Sequence, residues 1–571
     1  MSVKFVRVLA VSVGVIAATA SLPPATAAAT TGFLDKTFSG DGRALTNVHN
    51  DDSGEAVAVQ ADGKIVVVGS SSGGTDIAVV RYDTDGSLDA TFGGGDGIVI
   101  TDVNGDDAAY SVAIQGDQKI IVGGTTDGFS QAVLLRYDTT GPLDASFGGG
   151  DGITTTTVGL GAVFFDLAIQ GDGSVVGTGA ATLDGVKGVA FTARYDGTGA
   201  LDTTFASPDG YVTTNLGAGG GQMMGVALDG GKVVVAGSSF STTSSNVALL
   251  RYTSAGVLDS TFGGGDGKVT TDVGTGYDSG GDVAVDGSGN IDVVGSGGNK
   301  DAFLRYDDTG TLDTSFGGGD GIVFAGQGGF NGLSGIAIRG TGEIVAVDST
   351  FGSRRTPFPQ FKVVQVTSAG ALDASFGENG IATAGFSLSY HDEPIANDVA
   401  IDPDGNVVVA GTAGTGLDFA VARFGDAANA VIGQPDLLIG AGATLTGDGV
   451  YNDTGHNQTL SRHVSRGTSI SFSVEVQNDG NAPDIVSIHG SRASGLSITC
   501  HLGASDVTKA IFGFKGKNLS LDPGETRTLK IRAKVTAKAK IGKVLKIRTE
   551  GYSFNTLDAE DLVVAAITVK R

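Results

Sequence analysis

Three aspartates occupy equivalent places in this sequence, each directly before a short apolar run. Asp166 precedes Leu167-Ala168-Ile169, and Asp282 and Asp398 precede similar runs. Carboxyl groups held roughly 5 to 10 Å apart can act as the acid and base of glycoside hydrolysis. Such chemistry requires elements that bring three distant stretches of the chain together.

The residue two places before each apolar run varies along the chain. Three consecutive examples are large and apolar, namely Tyr110, Phe165 and Met224, and the equivalent residues elsewhere are Glu55, Gly281, Ser334 and Asn397. An apolar crescent beside polar groups suits the rim of a sugar-binding or peptide-binding site. The alternative is that each side chain packs within its own segment.

A third candidate site is the stretch Ser349–Gln360, STFGSRRTPFPQ. Its prolines restrict the backbone, Arg354 and Arg355 form a cationic spot suited to a carboxylate or sulfate, and Phe358 offers a ring for stacking. The alternative is structural, with the arginines neutralising nearby acids and the ring filling a gap.

The elements that position these residues form a repeat with the signature Leu-Asp-x-x-Phe. The signature occurs seven times, with its phenylalanines at Phe38, Phe92, Phe147, Phe205, Phe262, Phe316 and Phe376. Steps of 54 to 60 residues indicate a repeat array. Each period contains four short apolar strands joined by Gly and Asp turns, without helical periodicity. Radial stacking of such sheets predicts an all-β fold with a seven-bladed β-propeller.

The two ends of the repeat array are unequal. A surplus signature, Leu34 to Phe38, precedes the first blade, whereas no signature follows Phe424. We therefore predict that the strand around Arg43 to Thr46 pairs with the last blade and closes the ring, which covers two exposed sheet edges.

The repeats resemble the delta-60 repeat family of bacterial secreted proteins. The matching stretches include Val59 to Gly69, VQADGKIVVVG, and Arg81 to Asp89, RYDTDGSLD. The resemblance covers about 390 residues and implies a propeller-like fold and an extracellular location, without an established activity. The sixth unit departs from the pattern, with Gln365-Val366 in place of Arg-Tyr and Asp348 in place of Gly.

Most polar residues that recur in every repeat are expected to be structural. We expect the signature aspartates to accept hydrogen bonds from turn amides and the arginines that end the third strands to pair with carboxylates. The Gly-Gly-Gly-Asp-Gly loops, as at Gly93 to Gly97, lack the helix of a phosphate-binding loop and the nine-residue period of a calcium β-roll. No cofactor or metal is therefore predicted, although a single calcium ion in such a loop is left open.

The termini and the charge divide the chain into further segments. Lys4 and Arg7 precede an apolar run too short to favour a membrane anchor, so residues 1–28 are predicted to be a secretory signal peptide, with no membrane span after its removal. The formal net charge is −25. The acidic part of the chain disfavours nucleic acid as a partner. We predict a propeller over residues 33–425, a linker over 426–434 and a second domain over 435–571.

The second domain is basic and rich in period-two strands, as in Ser471 to Val476 and Thr528 to Val535. This pattern predicts a β-sandwich that resembles the immunoglobulin-like adhesion or stalk modules of bacterial surface proteins. Lysines surround two late strands, at Lys530, Lys534, Lys538, Lys540, Lys543 and Lys546. They indicate a charged, protected sheet edge or a surface that docks onto anionic groups. Cys500, the single cysteine, is expected to be buried, with pairing between chains as the alternative.

The favoured function is a secreted or cell-surface, non-catalytic binding or adhesion protein that acts as a monomer. In this hypothesis the propeller recognises a glycan or a protein and the sandwich acts as a spacer or anchor. The alternative is an extracellular carbohydrate-active hydrolase or lyase in which Asp166, Asp282 and Asp398 act at the propeller channel.

Overall fold

The computed structural model of the chain describes residues 31–49, 51–71, 73, 75–183, 188–327, 332–350, 359–386, 394–414, 417–431, 434–441, 445–447, 449–451, 454–513, 516–553 and 560–571. Two compact units are present, the first ending at Ala428 and the second beginning at Asn429. Strands make up nearly all the regular structure of both units, and the described part contains one helical turn, α1 (Thr508–Ile511). The fold is all-β.

Repeated antiparallel sheets make up the first unit. It begins with two short strands, β1 (Thr31–Leu34) and β2 (Arg43–Thr46). Seven sheets follow in the described residues, numbered here in chain order, and their first strands are β3 (Ser53–Val59), β7 (Ala108–Ile114), β11 (Gly161–Ile169), β15 (Gly221–Asp229), β19 (Ser279–Val285), β23 (Gly335–Ile338) and β27 (Ile395–Ile401).

In sheets 1 to 6 the second, third and fourth strands follow the first strand in chain order, and each pairs with the strand before it. The second strands are β4 (Ile65–Ser71), β8 (Ile120–Thr126), β12 (Val175–Thr182), β16 (Lys232–Phe240), β20 (Ile291–Gly297), β24 (Ile344–Ser349) and β28 (Val407–Ala413). The third strands are β5 (Asp76–Tyr82), β9 (Gln131–Tyr137), β13 (Gly188–Tyr195), β17 (Ser245–Tyr252), β21 (Lys300–Tyr306), β25 (Phe361–Val366) and β29 (Asp418–Asp426). Sheets 1 to 6 have as fourth strands β6 (Ile98–Thr101), β10 (Ile153–Thr156), β14 (Tyr211–Thr214), β18 (Lys268–Thr271), β22 (Ile322–Gln327) and β26 (Ile381–Ala384).

Apolar second and third strands explain why the sheets stack. In β4 and β8 every residue is buried, which is the pattern of a strand covered on both faces. The first strands are in contact in a cycle, sheet 1 with sheet 2 and so on to sheet 7, whose β27 contacts β3. Small side chains permit this approach, since each first strand has a buried alanine near its C-terminal end: Ala58, Ala113, Ala168, Ala227, Ala284, Ala337 and Ala400.

The N-terminal strands belong to the sheet that contains the last third strand. Both β1 and β2 pair antiparallel with β29, through Leu34 opposite Phe424 and Arg43 opposite Ala422. The strand pairing expected from the surplus signature is therefore present, and sheet 7 has five strands.

The recurring signature residues hold one another in place. In sheet 1, Arg81 Nε donates to Asp89 Oδ2 at 2.6 Å, and its guanidinium lies 4.4 Å from the centroid of the Phe92 ring. Asp89 Oδ1 accepts from the amide of Thr91 at 2.9 Å. The expected pairing of arginine with carboxylate and of aspartate with a turn amide is confirmed here, so these residues are structural.

Each arginine also reaches the next sheet. Arg81 Nη1 donates to the carbonyl of Thr139 in sheet 2, and Arg423 of sheet 7 donates to the carbonyl of Thr84 in sheet 1. The intervening links run from Arg136, Arg194, Arg251, Arg305 and Arg339 to carbonyls of the following sheets. Hydrogen bonds of one type therefore join all seven sheets in a cycle.

Two sheets replace the usual arginine–aspartate pair. Arg305 of sheet 5 pairs with Asp292, on the neighbouring strand, at 2.7 Å instead of with its signature aspartate. In sheet 6, where the sequence has Gln365, Arg339 from the end of β23 supplies the guanidinium and donates to Gln365 Oε1 at 2.8 Å. The sixth unit therefore keeps the link by taking its arginine from another strand.

The second unit consists of two sheets around one apolar core. The first sheet contains β30 (Pro435–Gly440), β31 (Leu445–Thr446), β33 (Ser469–Asn478), β35 (Leu496–Leu502), β36 (Ser505–Asp506) and β38 (Thr526–Val535). The second contains β32 (Thr459–Ser465), β34 (Asp484–Arg492), β37 (Lys517–Leu521), β39 (Val544–Ser553) and β40 (Glu560–Lys570). Val474 and Ile531 of the first sheet and Ile488 and Ile547 of the second share the core with Cys500, which is buried and free.

The lysine-rich strands of this unit are not edge strands, which corrects one of the two interpretations of their charge. β38 pairs with β33 and β35, and β39 pairs with β34 and β40. Lys530, Lys534 and Lys546 are exposed on these internal strands. Residues on these strands alternate between a buried and an exposed face, so the three lysines lie on the solvent-exposed faces of their sheets.

No helix among the described residues is long and apolar enough to cross a membrane. The segment predicted as a signal peptide, residues 1–28, lies outside the described residues.

Candidate functional site

The same irregularity recurs in the first strands of the first unit. Six of them carry a β-bulge against their second strand, and the extra residues are Glu55, Tyr110, Phe165, Met224, Gly281 and Asn397. In sheet 6 the strand begins directly after the equivalent residue, Ser334. A bulge redirects a side chain out of the regular alternation of a strand.

All seven of these residues line one cavity of about 350 Å³. The cavity therefore receives a side chain or backbone from every sheet, at the end where the first strands begin. The predicted crescent of Tyr110, Phe165 and Met224 forms part of its wall, and Gln222, Ser238, Ser279 and Leu333 also line it.

The two aromatic rings of the crescent are in contact. The centroids of Tyr110 and Phe165 lie 5.6 Å apart in an edge-to-face arrangement, a favourable geometry for aromatic pairs. On its other side Tyr110 stacks at 6.4 Å on Phe129, which is 53% exposed. The Tyr110–Phe165 contact joins sheets 2 and 3, whereas the Tyr110–Phe129 contact lies within sheet 2.

Glu55 gives the cavity a group that changes charge near neutral pH. Its carboxylate accepts a hydrogen bond from Ser53 Oγ. Burial raises the pKa of Glu55 to about 7, despite this hydrogen bond. Burial, together with the charge of Glu55, raises the pKa of Tyr110 to about 12, so the phenol remains a hydrogen-bond donor.

The three aspartates of the catalytic alternative also line the cavity, but they bind backbone amides of the neighbouring sheets. Asp166 Oδ2 accepts from Val226 N at 2.8 Å, Asp282 Oδ2 from Ile336 N at 3.1 Å and Asp398 Oδ2 from Val57 N at 3.0 Å. The second oxygens accept as well, from Ser111 Oγ in the case of Asp166 and from the following amide in the other two. These carboxylates therefore act as links between first strands.

A glycine shows how closely neighbouring first strands approach. A Cβ atom on Gly225 would lie 2.3 Å from Asp282 Oδ1 and 2.8 Å from its Cα. We therefore expect Gly225→Ala to lower the free energy of unfolding by about 1–3 kcal/mol, the usual cost of overpacking, as measured by chemical unfolding. Gly116→Ala is the control, because nothing lies within 4 Å of the added Cβ. Equal stability of both variants with the parent would show that the strands can separate at no cost.

The arginine-rich candidate cannot be placed. Arg354, Arg355 and Phe358 lie outside the described residues, so their role in ligand binding stays a prediction.

Metal binding has no further support in the described part of the chain. No group of three or more His, Cys, Asp or Glu residues there could hold a metal ion. In the glycine-rich loop of sheet 1, Asp96 Oδ1 accepts from the amide of Ile98 at 3.1 Å and so stabilises the turn.

Comparison with known sequences identifies a family model described as a domain of unknown function (DUF5122) beta-propeller, which matches residues 60–92, 115–147 and 231–262. No curated protein matches the chain.

Several solved structures are similar to parts of this chain. A family 123 glycoside hydrolase from Clostridium perfringens is 10% identical with a TM-score of 0.17, over 24% of this chain and 27% of its own. A protein from Lactobacillus plantarum is 13% identical with a TM-score of 0.34, over 61% of this chain and 91% of its own. The calcium-binding protein regucalcin from Agrobacterium tumefaciens is 9% identical with a TM-score of 0.29, over 54% and 85%.

This chain therefore spans about a quarter of the length of the hydrolase, and similarities at such TM-scores carry no argument about function. The family-model matches fall on three of the repeats and, together with the repeated four-stranded sheets, support a β-propeller family for this chain.

Proposed function

We propose that the protein is a secreted or cell-surface binding protein whose first unit is a closed seven-bladed propeller with a ligand site at the mouth of its channel. The observation that carries this proposal is the single cavity to which all seven sheets contribute a residue at the same strand position. Differences between repeats mark what a scaffold does not require, and these positions hold seven different residues.

Two hydrogen bonds between sheets 7 and 1 support ring closure. The arginine links pass from each sheet to the next and return from Arg423 to Thr84. A second bond joins sheets 7 and 1, since Asp398 of sheet 7 accepts a hydrogen bond from the amide of Val57 in sheet 1. A sheet stack with two free ends would lack both closing bonds.

The lining favours a hydroxyl-rich ligand such as a glycan. The described lining residues include carboxylate, amide and hydroxyl groups but no lysine, arginine or histidine. Such a wall accepts hydrogen bonds from ligand hydroxyls, while the rings of Tyr110 and Phe165 supply apolar contact with a sugar face. A volume of about 350 Å³ is at the lower end of the range for small-ligand sites.

We infer a non-catalytic role for the cavity. A hydrolase would need one free acid and one free base, whereas Asp166, Asp282 and Asp398 already accept hydrogen bonds on both oxygens. The second unit, as an immunoglobulin-like sandwich, would serve as a spacer or anchor, and its exposed lysines suit an anionic surface polymer. Removal of residues 1–28 during secretion would deliver the protein outside the cell.

A glycan array with the secreted protein, followed by calorimetric titration of the best ligand, tests this function. We expect Tyr110→Ala to weaken binding by about tenfold or more, because an aromatic pair and its apolar contacts contribute at least 1.4 kcal/mol. Tyr277→Ala is the matched control, since Tyr277 is 69% exposed and does not line the cavity. Equal loss in both variants, or no binding to any glycan, would contradict the proposal.

A further inference from the structure

Sheets 5 and 6 meet at a buried group of one lysine and two aspartates. Lys362 on β25 is 6% exposed, Asp348 on β24 is 2% exposed and Asp301 on β21 is fully buried. Lys362 Nζ contacts Asp301 Oδ2, while Asp301 Oδ1 is buried without a hydrogen-bond partner. Asp348 and Lys362 are direct cross-strand neighbours, so both side chains lie on one face of sheet 6.

The equivalent places in the other six sheets hold no charge. Where sheet 5 has Asp301, the other third strands have Ile77, Ala132, Ala190, Val247, Phe361 and Phe419. Where sheet 6 has Lys362, they have Ala78, Val133, Phe191, Ala248, Ala302 and Ala420. Where sheet 6 has Asp348, the other second strands have Gly69, Gly124, Gly179, Gly237, Gly295 and Gly411.

Three exceptional residues therefore coincide at one interface. They border an apolar cluster that includes Phe303, Ala346 and Val364. Each of these residues lies two positions along the strand from one of the three charged residues. A buried ion pair is seldom more stabilising than apolar residues of similar size, so better packing does not explain the group. A reaction among the three side chains would explain why they are buried together.

The environment prepares the carboxyl group for reaction with the amine. Burial raises the pKa of Asp301 to about 7, against the lowering effect of the Lys362 ammonium and with a further increase from the nearby Asp348 carboxylate. A protonated Asp301 has a carbonyl carbon open to attack, and a second carboxylate can take the proton from the ammonium.

We propose that Lys362 and Asp301 join in an isopeptide bond, with Asp348 as the proton carrier. Asp348 accepts a proton from Lys362, the free Nζ attacks Cγ of Asp301, and the C–N bond forms as a tetrahedral intermediate. Asp348 then gives this proton to the departing hydroxyl, the C–O bond breaks and water leaves, while Asp348 takes the second proton from Nζ. Overall, one ammonium, one protonated carboxyl group and the Asp348 carboxylate give one amide, one water and a protonated Asp348, with no oxidation or reduction.

Position favours this condensation at the interface. The two reacting groups are held in contact by separate sheets, which replaces a bimolecular encounter, and the apolar surroundings exclude the water that would reverse the step. The bond would connect residues 61 positions apart and fix sheet 5 to sheet 6 in a chain whose single cysteine cannot form an internal disulfide.

Mass spectrometry of the purified full-length secreted protein tests the proposal. Its mass should be lower than that of its sequence by one water molecule. Trypsin cuts after Lys300 and Arg305, so the peptide 301–305 should be attached to the peptide that contains Lys362, with no cleavage after Lys362. A full mass with two separate peptides would overturn the proposal. So would a water loss located elsewhere, for example as a base-labile succinimide at an Asp-Gly sequence.

Variants that replace Asp348 or Lys362 with a residue found in other repeats test the role of each side chain. Asp348→Gly keeps Lys362 and Asp301 and should show the full mass, and Lys362→Ala should do the same. A cross-link that persists in Asp348→Gly would overturn the role of Asp348. The pair Lys119–Asp144, in contact at 2.9 Å but with Lys119 28% exposed, is the internal control and should yield separate peptides.

Discussion

Phe38→Ala is expected to lower the free energy of unfolding of the first unit by about 3–5 kcal/mol, the usual cost of truncating a buried phenylalanine. Phe38 precedes the first complete repeat in sequence, yet it is fully buried and lies beneath Arg423, with the guanidinium 5.0 Å from its ring centroid. Its cluster contains Val57 of sheet 1 and Val408 of sheet 7. Loss of the ring would therefore weaken the packing between sheet 1 and sheet 7.

Phe92→Ala is the matched comparison for this prediction. Phe92 is the equivalent residue of sheet 1, also fully buried and also covered by an arginine. Chemical unfolding of both variants should give similar losses. If Phe38→Ala cost less than about 1 kcal/mol while Phe92→Ala cost several, the N-terminal strands would be dispensable and ring closure would be wrong.

Glu55→Gln is expected to stabilise the protein at alkaline pH and to have little effect in acid. The pKa of Glu55 is raised by burial from 4.5 to about 7, so the folded state binds this proton more tightly than the unfolded state does. The stability that this proton binding contributes to the folded state is fully present below pH 4.5 and is lost as the pH rises through 7. At 1.36 kcal/mol per pH unit the loss reaches about 3 kcal/mol near pH 8, and glutamine avoids it.

Unfolding of parent and variant at pH 4, 6 and 8 measures this effect. Tyr110 and Asp398 line the same cavity as Glu55, and both are retained in the variant. Asp62→Asn, which removes an exposed carboxylate at the other end of the β3–β4 hairpin, should give no comparable gain at pH 8. A Glu55→Gln variant with the same pH dependence as the parent would contradict the burial of this charge.

The repeat made much of the first unit predictable. A nearly constant spacing indicates which strands pair, so the four strands per period and the pairing of Arg43 to Thr46 with β29 followed from the sequence. The first strands are longer than their apolar runs, however, because a bulge lets the chain continue pairing beyond the run: β7 begins at Ala108, although its apolar run begins at Val112. The bulges could be located only as the positions where the repeat varies.

Contacts between distant, dissimilar residues could not be predicted in this way. The substitution of Gly by Asp348 was visible, but its meaning depends on Lys362 and on Asp301 of the preceding repeat, which only the structure brings together. Arg339 replaces a missing arginine from a different strand, which no spacing rule indicates. The aspartates Asp166, Asp282 and Asp398 were expected near one another. The hydrogen bonds that their carboxylates accept from backbone amides of the next sheet were not expected.

The central claim is that the cavity lined by the six bulge residues and Ser334 is the ligand site. The most direct test is a crystal structure of the protein with the glycan selected on the array. The ligand should occupy the cavity, with a sugar face against Tyr110 or Phe165 and hydroxyl groups within hydrogen-bond distance of Glu55 or Gln222. A glycan bound on the second unit, or on the Ser349–Gln360 segment with the cavity empty, would contradict the claim.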